Sequence, residues 1–158
     1  MRIFKSIIIN TPAKNLVLLF FQLEKTPGQY SMPSHKGFTV IEGKLDKPGS
    51  IIETQEKFLF FFVKAEFIIR DIDETGLFTL YLQKPLGFLD VLVKFRSKRI
   101  DTQQTLLSMD IYQPHNTKTL KRIFFNIVFT LISPLIRNQI GKELILIKNL
   151  AESQARPS

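Results

Sequence analysis

The longest uncharged stretch of the sequence lies near its C-terminus and dominates the hydrophobic pattern. No charged side chain occurs from Ile123 to Ile136, within a region from Thr117 to Ala151 whose spacing predicts one long helix. A helix of this length spans roughly 50 Å. Its apolar arc is wider than the ~100° that a surface helix needs, so we expect most of its circumference to be buried. The arc consists of Leu120, Phe124, Ile127, Val128, Leu131 and Leu135.

A narrow polar stripe runs along the same helix, flanked by Phe125, Phe129 and Ile132. If this stripe faces water, the helix is a lid over the interior. If the stripe faces inward, it is the polar end of a binding site. Pro134 lies in the middle of the helix, where its missing N–H and its ring predict a kink. The stripe comprises Asn126, Thr130, Ser133 and Arg137.

Three interpretations of this helix remain open from the sequence. A transmembrane helix is one, although the run is shorter than the ~18 uninterrupted apolar residues that mark a membrane span. A helix that lies on a membrane or pairs in a dimer through Phe125 and Phe129 is the second. The third, which we favour, is a helix clamped by a sheet on one side and by loops or a short helix on the other.

The N-terminal part predicts a strand followed by a helix. Ile3 to Asn10 is rich in β-branched residues and ends at Asn-Thr-Pro, which is typical of a strand. Thr11 can cap the next helix and Pro12 can occupy its first position. That helix runs to about Glu24, and a short second helix or turn is predicted over Gln29 to Met32.

Alternating polar and apolar positions predict about six further strands. In the third of them, Val63, Ala65, Phe67 and Ile69 alternate with Lys64, Glu66 and Arg70, as in a half-buried strand. The short turns between strands imply antiparallel neighbours, and strands flanked by helices imply an α+β class. We expect one domain over residues 1–151 and a polar, frayed tail over 152–158. The predicted strands are Gly37–Glu42, Ser50–Phe58, Leu59–Arg70, Leu77–Gln83, Phe88–Lys98 and Thr105–Tyr112, of which the second and third could also be one long bent strand.

Composition favours a folded domain with a dry interior. The chain has 158 residues, 44% of them hydrophobic, and its aromatic residues are 15 Phe, three Tyr and no Trp. Phe has no polar group, so these rings are expected to line an apolar interior. No cysteine is present, which excludes disulfides, thiolate catalysis and cysteine-based zinc sites.

The chain carries a net charge of +8, from 22 basic and 14 acidic residues. From Thr117 to the end of the sequence there are seven basic and two acidic residues, so +5 comes from the last quarter. This bias would favour an anionic membrane surface or acidic ligands. The basic residues are scattered rather than interleaved with aromatics on one face, so no nucleic-acid partner is predicted. The N-terminus lacks a signal-peptide cleavage pattern, and a cytoplasmic location is the default expectation.

The order of elements, together with a few short motifs, resembles a known superfamily. The motifs are Asn10-Thr11-Pro12-Ala13 after the first strand, Gly43 and Pro48-Gly49-Ser50 between early strands, and Ile147 to Glu152 at the helix end. The pattern resembles the START-like, or helix-grip, superfamily, which includes polyketide cyclase/dehydrase and lipid-transport proteins and the Bet v 1 allergens.

This resemblance implies a fold and a class of ligand. The expected fold is a helix-grip α+β domain, with a curved antiparallel sheet of about six or seven strands around the C-terminal helix and one or two short helices after the first strand. Members are similar in enclosing a cavity for apolar ligands such as lipids, steroids or polyketides. Some members are enzymes, so the fold alone does not decide the activity.

Catalytic chemistry has few candidates in this sequence. His35 precedes a strand and is the better pocket candidate, whereas His115 lies in the turn before the long helix. Glu53 and Glu56 have opposite parity on one strand, so only one of them can face inward. Zinc hydrolases that resemble the diacetylphloroglucinol hydrolases place a histidine on their last helix, whereas the last helix of this sequence contains no histidine. We therefore predict no metal and no cofactor, and no catalytic residue beyond His35 as a weak candidate.

The leading hypothesis is non-covalent binding or carriage of a hydrophobic small molecule in an internal cavity. Two alternatives are a cyclase- or hydrolase-type enzyme that uses His35 with an inward acid, and a membrane-surface lipid or coenzyme chaperone. Peripheral membrane contact and a homodimer also remain open. The predicted ligand-binding residues are Phe67, Val93, Phe95, Leu107 and Met109 on the strands and Phe124, Val128, Leu131 and Leu135 on the helix.

Overall fold

The computed structural model describes residues 2–25, 35–58, 61–115 and 117–154. Residues 23–25, 35–37, 56–58 and 61–62 are described by their backbone alone. The short second helix predicted after the first one, over residues 29–32, lies outside the described residues.

The described chain forms seven strands, two α-helices and one turn of 3-10 helix. The short helical turn at Gly87–Leu89 lies between the fifth and sixth strands. The strands are β1 (Arg2–Ile9), β2 (His35–Glu42), β3 (Ile51–Phe58), β4 (Phe61–Ile72), β5 (Phe78–Lys84), β6 (Leu92–Arg99) and β7 (Thr105–Tyr112), and the helices are α1 (Ala13–Lys25) and α2 (Thr119–Gln154).

All seven strands belong to one antiparallel sheet, in the order β1-β7-β6-β5-β4-β3-β2. Consecutive strands from β2 to β7 are neighbours in the sheet, and β1 pairs along the other edge of β7. The sheet curves around α2, which lies mainly against β1, while α1 packs against β2 and β6. The prediction of an α+β helix-grip architecture is confirmed.

Side-chain alternation explains where the core lies. Phe95 of β6 pairs with Met109 of β7, and both are buried, as are Val93 and Leu107 at neighbouring inward positions. Burial of each such apolar side chain contributes about 1.5–3 kcal/mol. The inward positions Val93, Phe95, Leu107 and Met109 of β6 and β7 are therefore buried and apolar, as the strand parity predicted.

Helix α2 uses a different face from the one that the sequence indicated. Its buried residues are Phe125, Phe129, Ile140, Leu144, Ile147 and Ala151. The expectations that most of its circumference is buried and that Phe124, Leu131 and Leu135 face the interior are wrong, because these three are 47%, 75% and 43% exposed. Apolar residues occupy both faces of the first half of the helix, so periodicity alone cannot select the inner one.

The start of β6 and the end of α2 also differ from the prediction. Residues from Gly87 to Leu89 form a helical turn, so β6 starts at Leu92 and not at Phe88. Helix α2 continues to Gln154, and near its end Glu152 accepts a hydrogen bond from the backbone N–H of Asn10 at 2.8 Å. Residues 152–154 are therefore helical, and residues 155–158 lie outside the described part of the chain.

The predicted cap of α1 takes an unexpected form. Thr11 is fully buried, and its hydroxyl accepts from the side-chain Nδ2 of Asn15 at 3.1 Å. Its carbonyl accepts from the hydroxyl of Thr105 at 2.8 Å. The start of α1 is thereby fixed to the start of β7.

On the outer face of the sheet, Asp110 is a buried carboxylate held by arginines. Its side chain is 2% exposed, and it accepts from Nε and Nη2 of Arg2 at 2.6 and 2.5 Å. Arg96 lies farther away, with its Nη2 at 3.9 Å. The hydrogen bond and the charge of Asp110 raise the pKa of Arg2, and the bidentate pair joins β1 to β7.

The loop between β2 and β3 depends on a glycine. Gly43 has a φ of +82°, and a Cβ placed there would lie 2.2 Å from Oγ of Ser50. That Oγ accepts the backbone N–H of Lys44 at 2.9 Å, and the loop directs Leu45 into the core, where it is 2% exposed. Gly49 also has a positive φ, of +89°, but a Cβ there would have no heavy atom within 4 Å.

The two glycines form a matched pair for a stability test. Gly49→Ala should lower the free energy of unfolding by about 1 kcal/mol through backbone strain alone. Gly43→Ala should cost about 2–4 kcal/mol, because the new methyl group also displaces Ser50 and breaks its hydrogen bond. Urea unfolding followed by circular dichroism measures both, and equal costs would show that the Ser50 contact is unimportant.

Candidate functional site

A small apolar cavity lies between the inner face of the sheet, α1 and α2. Its volume is about 40 Å³. Leu45 reaches it from the β2–β3 loop and Glu143 from α2, while the other side chains come from α1 and the strands. The lining consists of Phe20, Phe38, Leu45, Ile52, Thr54, Phe78, Leu80, Phe95 and Glu143.

Three aromatic rings fill the space beside this cavity. Phe20 of α1 meets Phe78 of β5 with ring centroids 5.2 Å apart and Phe95 of β6 at 5.8 Å. Phe78 and Phe95 are 5.5 Å apart. All three pairs meet edge to face, a favourable geometry that adds about 0.5–1.5 kcal/mol per pair beyond area burial. We call these residues the aromatic trio.

Thr54 is a polar residue on the inward face of β3. It is 7% exposed, and its Oγ1 has no hydrogen-bond partner among the described residues. A buried hydroxyl without a partner costs about 1–3 kcal/mol, so it calls for an explanation. The position of Thr54 on the cavity wall offers an explanation, because a polar atom of a ligand could accept a hydrogen bond from this hydroxyl or donate one to it. In the sequence, the only sign of this site is that Thr54 lies two residues after Ile52 and so faces the same side of the strand. Thr54 is not among the ligand-binding residues predicted from the sequence.

Glu143 contributes the carboxylate that borders the cavity. It lies on the inward side of α2, between the buried residues Ile140 and Leu144, and is itself half-buried. The sequence had placed the candidate inward acid at Glu53 or Glu56. Glu53 instead accepts from Nζ of Lys64 at 2.9 Å, in an ion pair at the surface, and the side chain of Glu56 lies outside the described residues.

The predicted ligand-binding residues do not form one surface. Phe95 lines the cavity, whereas Val93, Leu107 and Met109 are buried in the surrounding core. Phe67 and Val128 are half-buried, and the other three helix residues are on the exposed face described above. Their role in ligand binding stays a prediction, with Phe95 the member best placed for it.

Neither histidine is among the described residues that line this cavity. The backbone of His35 pairs with that of Glu56 at the start of β2, and its side chain lies outside the described residues. His115 is exposed and borders a second depression, of about 460 Å³, together with Arg2, Arg96, Asp110, Tyr112, Gln113, Pro114 and Arg122. Among the described residues, no group of three or more His, Cys, Asp or Glu is placed to hold a metal ion.

The polar stripe on α2 bonds largely within the helix. The hydroxyl of Thr130 donates to the carbonyl of Asn126 at 2.7 Å, and that of Ser133 donates to the carbonyl of Thr130 at 3.4 Å. Thr130 and Arg137 are exposed, and the four residues are not part of the cavity lining. The stripe therefore follows the side and outer surface of the helix and is not the polar end of the cavity.

Comparison with solved structures shows what the fold resembles, whereas no protein-family model and no curated protein matches the sequence. The protein TTHA0849 from Thermus thermophilus is similar with a TM-score of 0.72 and 11% identity, over 99% of this chain and 100% of that one. A norcoclaurine synthase from Thalictrum flavum, determined in complex with a transition-state analogue, gives a TM-score of 0.68 and 13% identity over 99% and 96%. The Zhui aromatase/cyclase from a Streptomyces species gives 0.66 and 12% over 99% and 96%.

These likenesses span essentially the whole chain, but their identities of 11–13% establish the fold and not the activity. The topology, the long C-terminal helix and the solved structures agree with the motifs of the sequence. The chain therefore has the helix-grip fold, which it shares with Ara h 8.0201 and the Zhui aromatase/cyclase.

Proposed function

We propose that the chain binds a hydrophobic small molecule between the curved sheet and α2. The observation that carries this proposal is the Thr54 hydroxyl, buried in an apolar wall without a partner among the described residues. Ligand sites are mostly apolar and contain a few polar groups that fix orientation. Thr54 and Glu143 are the two polar side chains of this lining, so a largely apolar ligand with one or two polar atoms fits best.

The size of the cavity adds a condition to this proposal. A volume of about 40 Å³ holds about one water molecule, whereas ligand pockets measure roughly 300–1,000 Å³. Binding must therefore displace the aromatic trio or move α2 away from the sheet. Ligand atoms that replace the lost ring contacts recover roughly 25 cal/mol for each Å² of apolar surface that they bury.

Similar structures support a small-molecule role without defining the ligand. One is named as a norcoclaurine synthase in complex with a transition-state analogue and another as an aromatase/cyclase. By analogy of fold, the ligand class would be a lipid, polyketide or isoprenoid-like compound. Mass spectrometry of compounds extracted from the purified protein tests this directly, and a protein that retains and binds no apolar compound would contradict the proposal.

A second candidate function is an enzyme of the cyclase type, and the carboxylate of Glu143 favours it. A carboxylate at the edge of an apolar site can act as a general base if a substrate proton lies within about 2.6–3.2 Å. Thr54 would then orient the substrate. Turnover that Glu143→Gln abolishes while binding persists would support this candidate, whereas unchanged turnover would exclude Glu143 as the base.

The Thr54 hydroxyl gives a test in which stability and binding respond differently. Thr54→Val removes an unpartnered buried hydroxyl and should leave the free energy of unfolding unchanged or raise it by up to about 1 kcal/mol. Thr105→Val removes the bond to the Thr11 carbonyl and should lower it by about 1–2 kcal/mol. Thermal unfolding of the free proteins measures both. A marked destabilisation by Thr54→Val would mean that its hydroxyl already has a partner.

The same variant should change ligand preference. Naphthalene and 1-naphthol differ by one hydroxyl group, so they probe the polar wall of the cavity. Thr54→Val should weaken the binding of 1-naphthol about tenfold and leave naphthalene nearly unchanged. Calorimetric titration measures both affinities, and equal effects on the two compounds would remove Thr54 from the site.

Enlarging the cavity should improve the binding of apolar probes. Phe78→Leu shortens a member of the aromatic trio, whereas Phe125→Leu shortens a fully buried ring that stacks on Phe129 at 3.9 Å away from the cavity lining. Both should cost about 1–2 kcal/mol of stability. Only Phe78→Leu should increase naphthalene affinity, and an equal gain in both variants would indicate general loosening of the core.

A further inference from the structure

The first half of α2 exposes a continuous apolar surface. Six of its residues are between 43% and 80% exposed, and we call them the exposed strip. By length and composition, α2 could cross a membrane, and its most apolar 18-residue window has a mean hydropathy of 1.5. Only 11% of that window is buried, so this helix is not explained as the covered core helix of a soluble domain. The exposed strip consists of Leu120, Ile123, Phe124, Ile127, Leu131 and Leu135.

Helical geometry places these residues along one side of α2. Leu120 and Leu131 are eleven residues apart in the sequence, about three turns at 3.6 residues per turn. Phe88, from the helical turn before β6, is 52% exposed and extends the strip sideways, because its ring lies 5.8 Å from that of Phe124. Contiguous apolar surfaces of this kind mark interaction sites.

The charged residues on the first half of α2 are all basic. No Asp or Glu occurs in α2 before Glu143. The exposed cation Lys118 precedes its N-terminal end, and the exposed cations Arg137 and Lys142 follow it. Lys121 is paired with Asp90 at 2.9 Å, and the guanidinium of Arg122 donates to the carbonyls of His115 and Thr117, so both are left out of this count. The strip is therefore an apolar surface with exposed cations beyond each end.

The opposite face of the helix restricts how it can meet a membrane. Phe125, Phe129 and Ile140 are buried in the domain, and a helix crossing a bilayer would have to pull them out of the core. A helix with one apolar face free and basic residues beside it is suited to lie in the plane of the interface. Anionic headgroups would then meet the bordering cations, an attraction that strengthens binding with each Lys or Arg near the surface.

A second copy of the chain is a poorer occupant of the same surface. If the exposed strips of two copies met face to face, the cations of both helices would come close together. Neither helix has a carboxylate before Glu143 that could neutralise them. Like charges brought together in this way oppose association. We propose that the exposed strip docks on an anionic lipid bilayer, with α2 parallel to the membrane surface. This proposal is independent of ligand binding in the cavity.

Co-sedimentation of the full chain with vesicles tests the proposal. The protein should bind vesicles of phosphatidylcholine mixed with phosphatidylserine, bind phosphatidylcholine alone more weakly, and dissociate partly at high salt. The double variant Ile127→Ser with Leu131→Ser should reduce binding to the mixed vesicles about tenfold or more. Both side chains are exposed, so its circular dichroism spectrum should match that of the unmodified protein.

Matched variants separate the strip from general surface effects. Leu18→Ser with Ile41→Ser removes two apolar side chains that are 56% and 51% exposed on other elements, and it should bind vesicles as the unmodified protein does. Arg137→Glu should weaken binding more than Lys47→Glu, an exposed residue of the β2–β3 loop, although both change the net charge equally.

Three results would overturn the proposal. One is failure of the unmodified chain to bind the mixed vesicles, and another is equal loss in the strip and control variants. The third is a dimer in light scattering that Ile127→Ser with Leu131→Ser dissociates while vesicle binding persists, because the strip would then be an interface between two copies. A monomer that loses only vesicle binding in the strip variant supports the proposal.

Discussion

The edge-to-face contact among Phe20, Phe78 and Phe95 is the interaction on which the interior of this protein depends. It joins α1 to β5 and β6 with ring centroids 5.2–5.8 Å apart, and it sets how much space remains under α2. Leu45 and Thr54 reach the same space from the β2–β3 hairpin, and Glu143 reaches it from the helix. The three rings therefore act both as the centre of the core and as the wall that any ligand must move. Stability and ligand access are opposed at this point, since a tighter trio leaves less room for a guest.

Buried polar groups of the described chain fall into two kinds, and the contrast identifies the candidate site. Asp110 and Thr105 are satisfied by Arg2 and by the Thr11 carbonyl, and each of these bonds joins distant parts of the chain. Thr54 has no such partner among the described residues, although it is nearly as buried. Four other buried side-chain oxygens of the described residues also lack one, on Gln83, Ser97, Gln113 and Thr117, but of the five only Thr54 lines the cavity. A satisfied buried group is explained by the fold, whereas an unsatisfied one beside a cavity is better explained by something that the fold receives.

The architecture could be predicted from the sequence because it depends on local pattern. Strand parity identified Val93, Phe95, Leu107 and Met109 as inward residues, and short turns fixed the antiparallel order. The inner face of α2 could not be predicted, because both faces of its first half are apolar and the choice depends on which one meets β1 and the turn at Gly87–Leu89. Thr54 and Glu143 were missed for a related reason. A single polar residue at an inward position has no periodic signal, and its meaning appears only when α1, β3 and α2 are brought together.

The exposed strip has a further consequence for the free protein in water. A molecule with a net charge of +8 repels its own copies, and this repulsion opposes contact between apolar surfaces. Dissolved salt limits the repulsion to about 10 Å at 0.1 M, while strongly hydrated anions such as sulfate strengthen apolar association. Added salt therefore weakens the charge repulsion between copies, and anions such as sulfate strengthen the apolar attraction between them, so both effects favour association. Whether copies of the chain stay apart in solution depends on how well their positive charges keep two exposed strips from meeting.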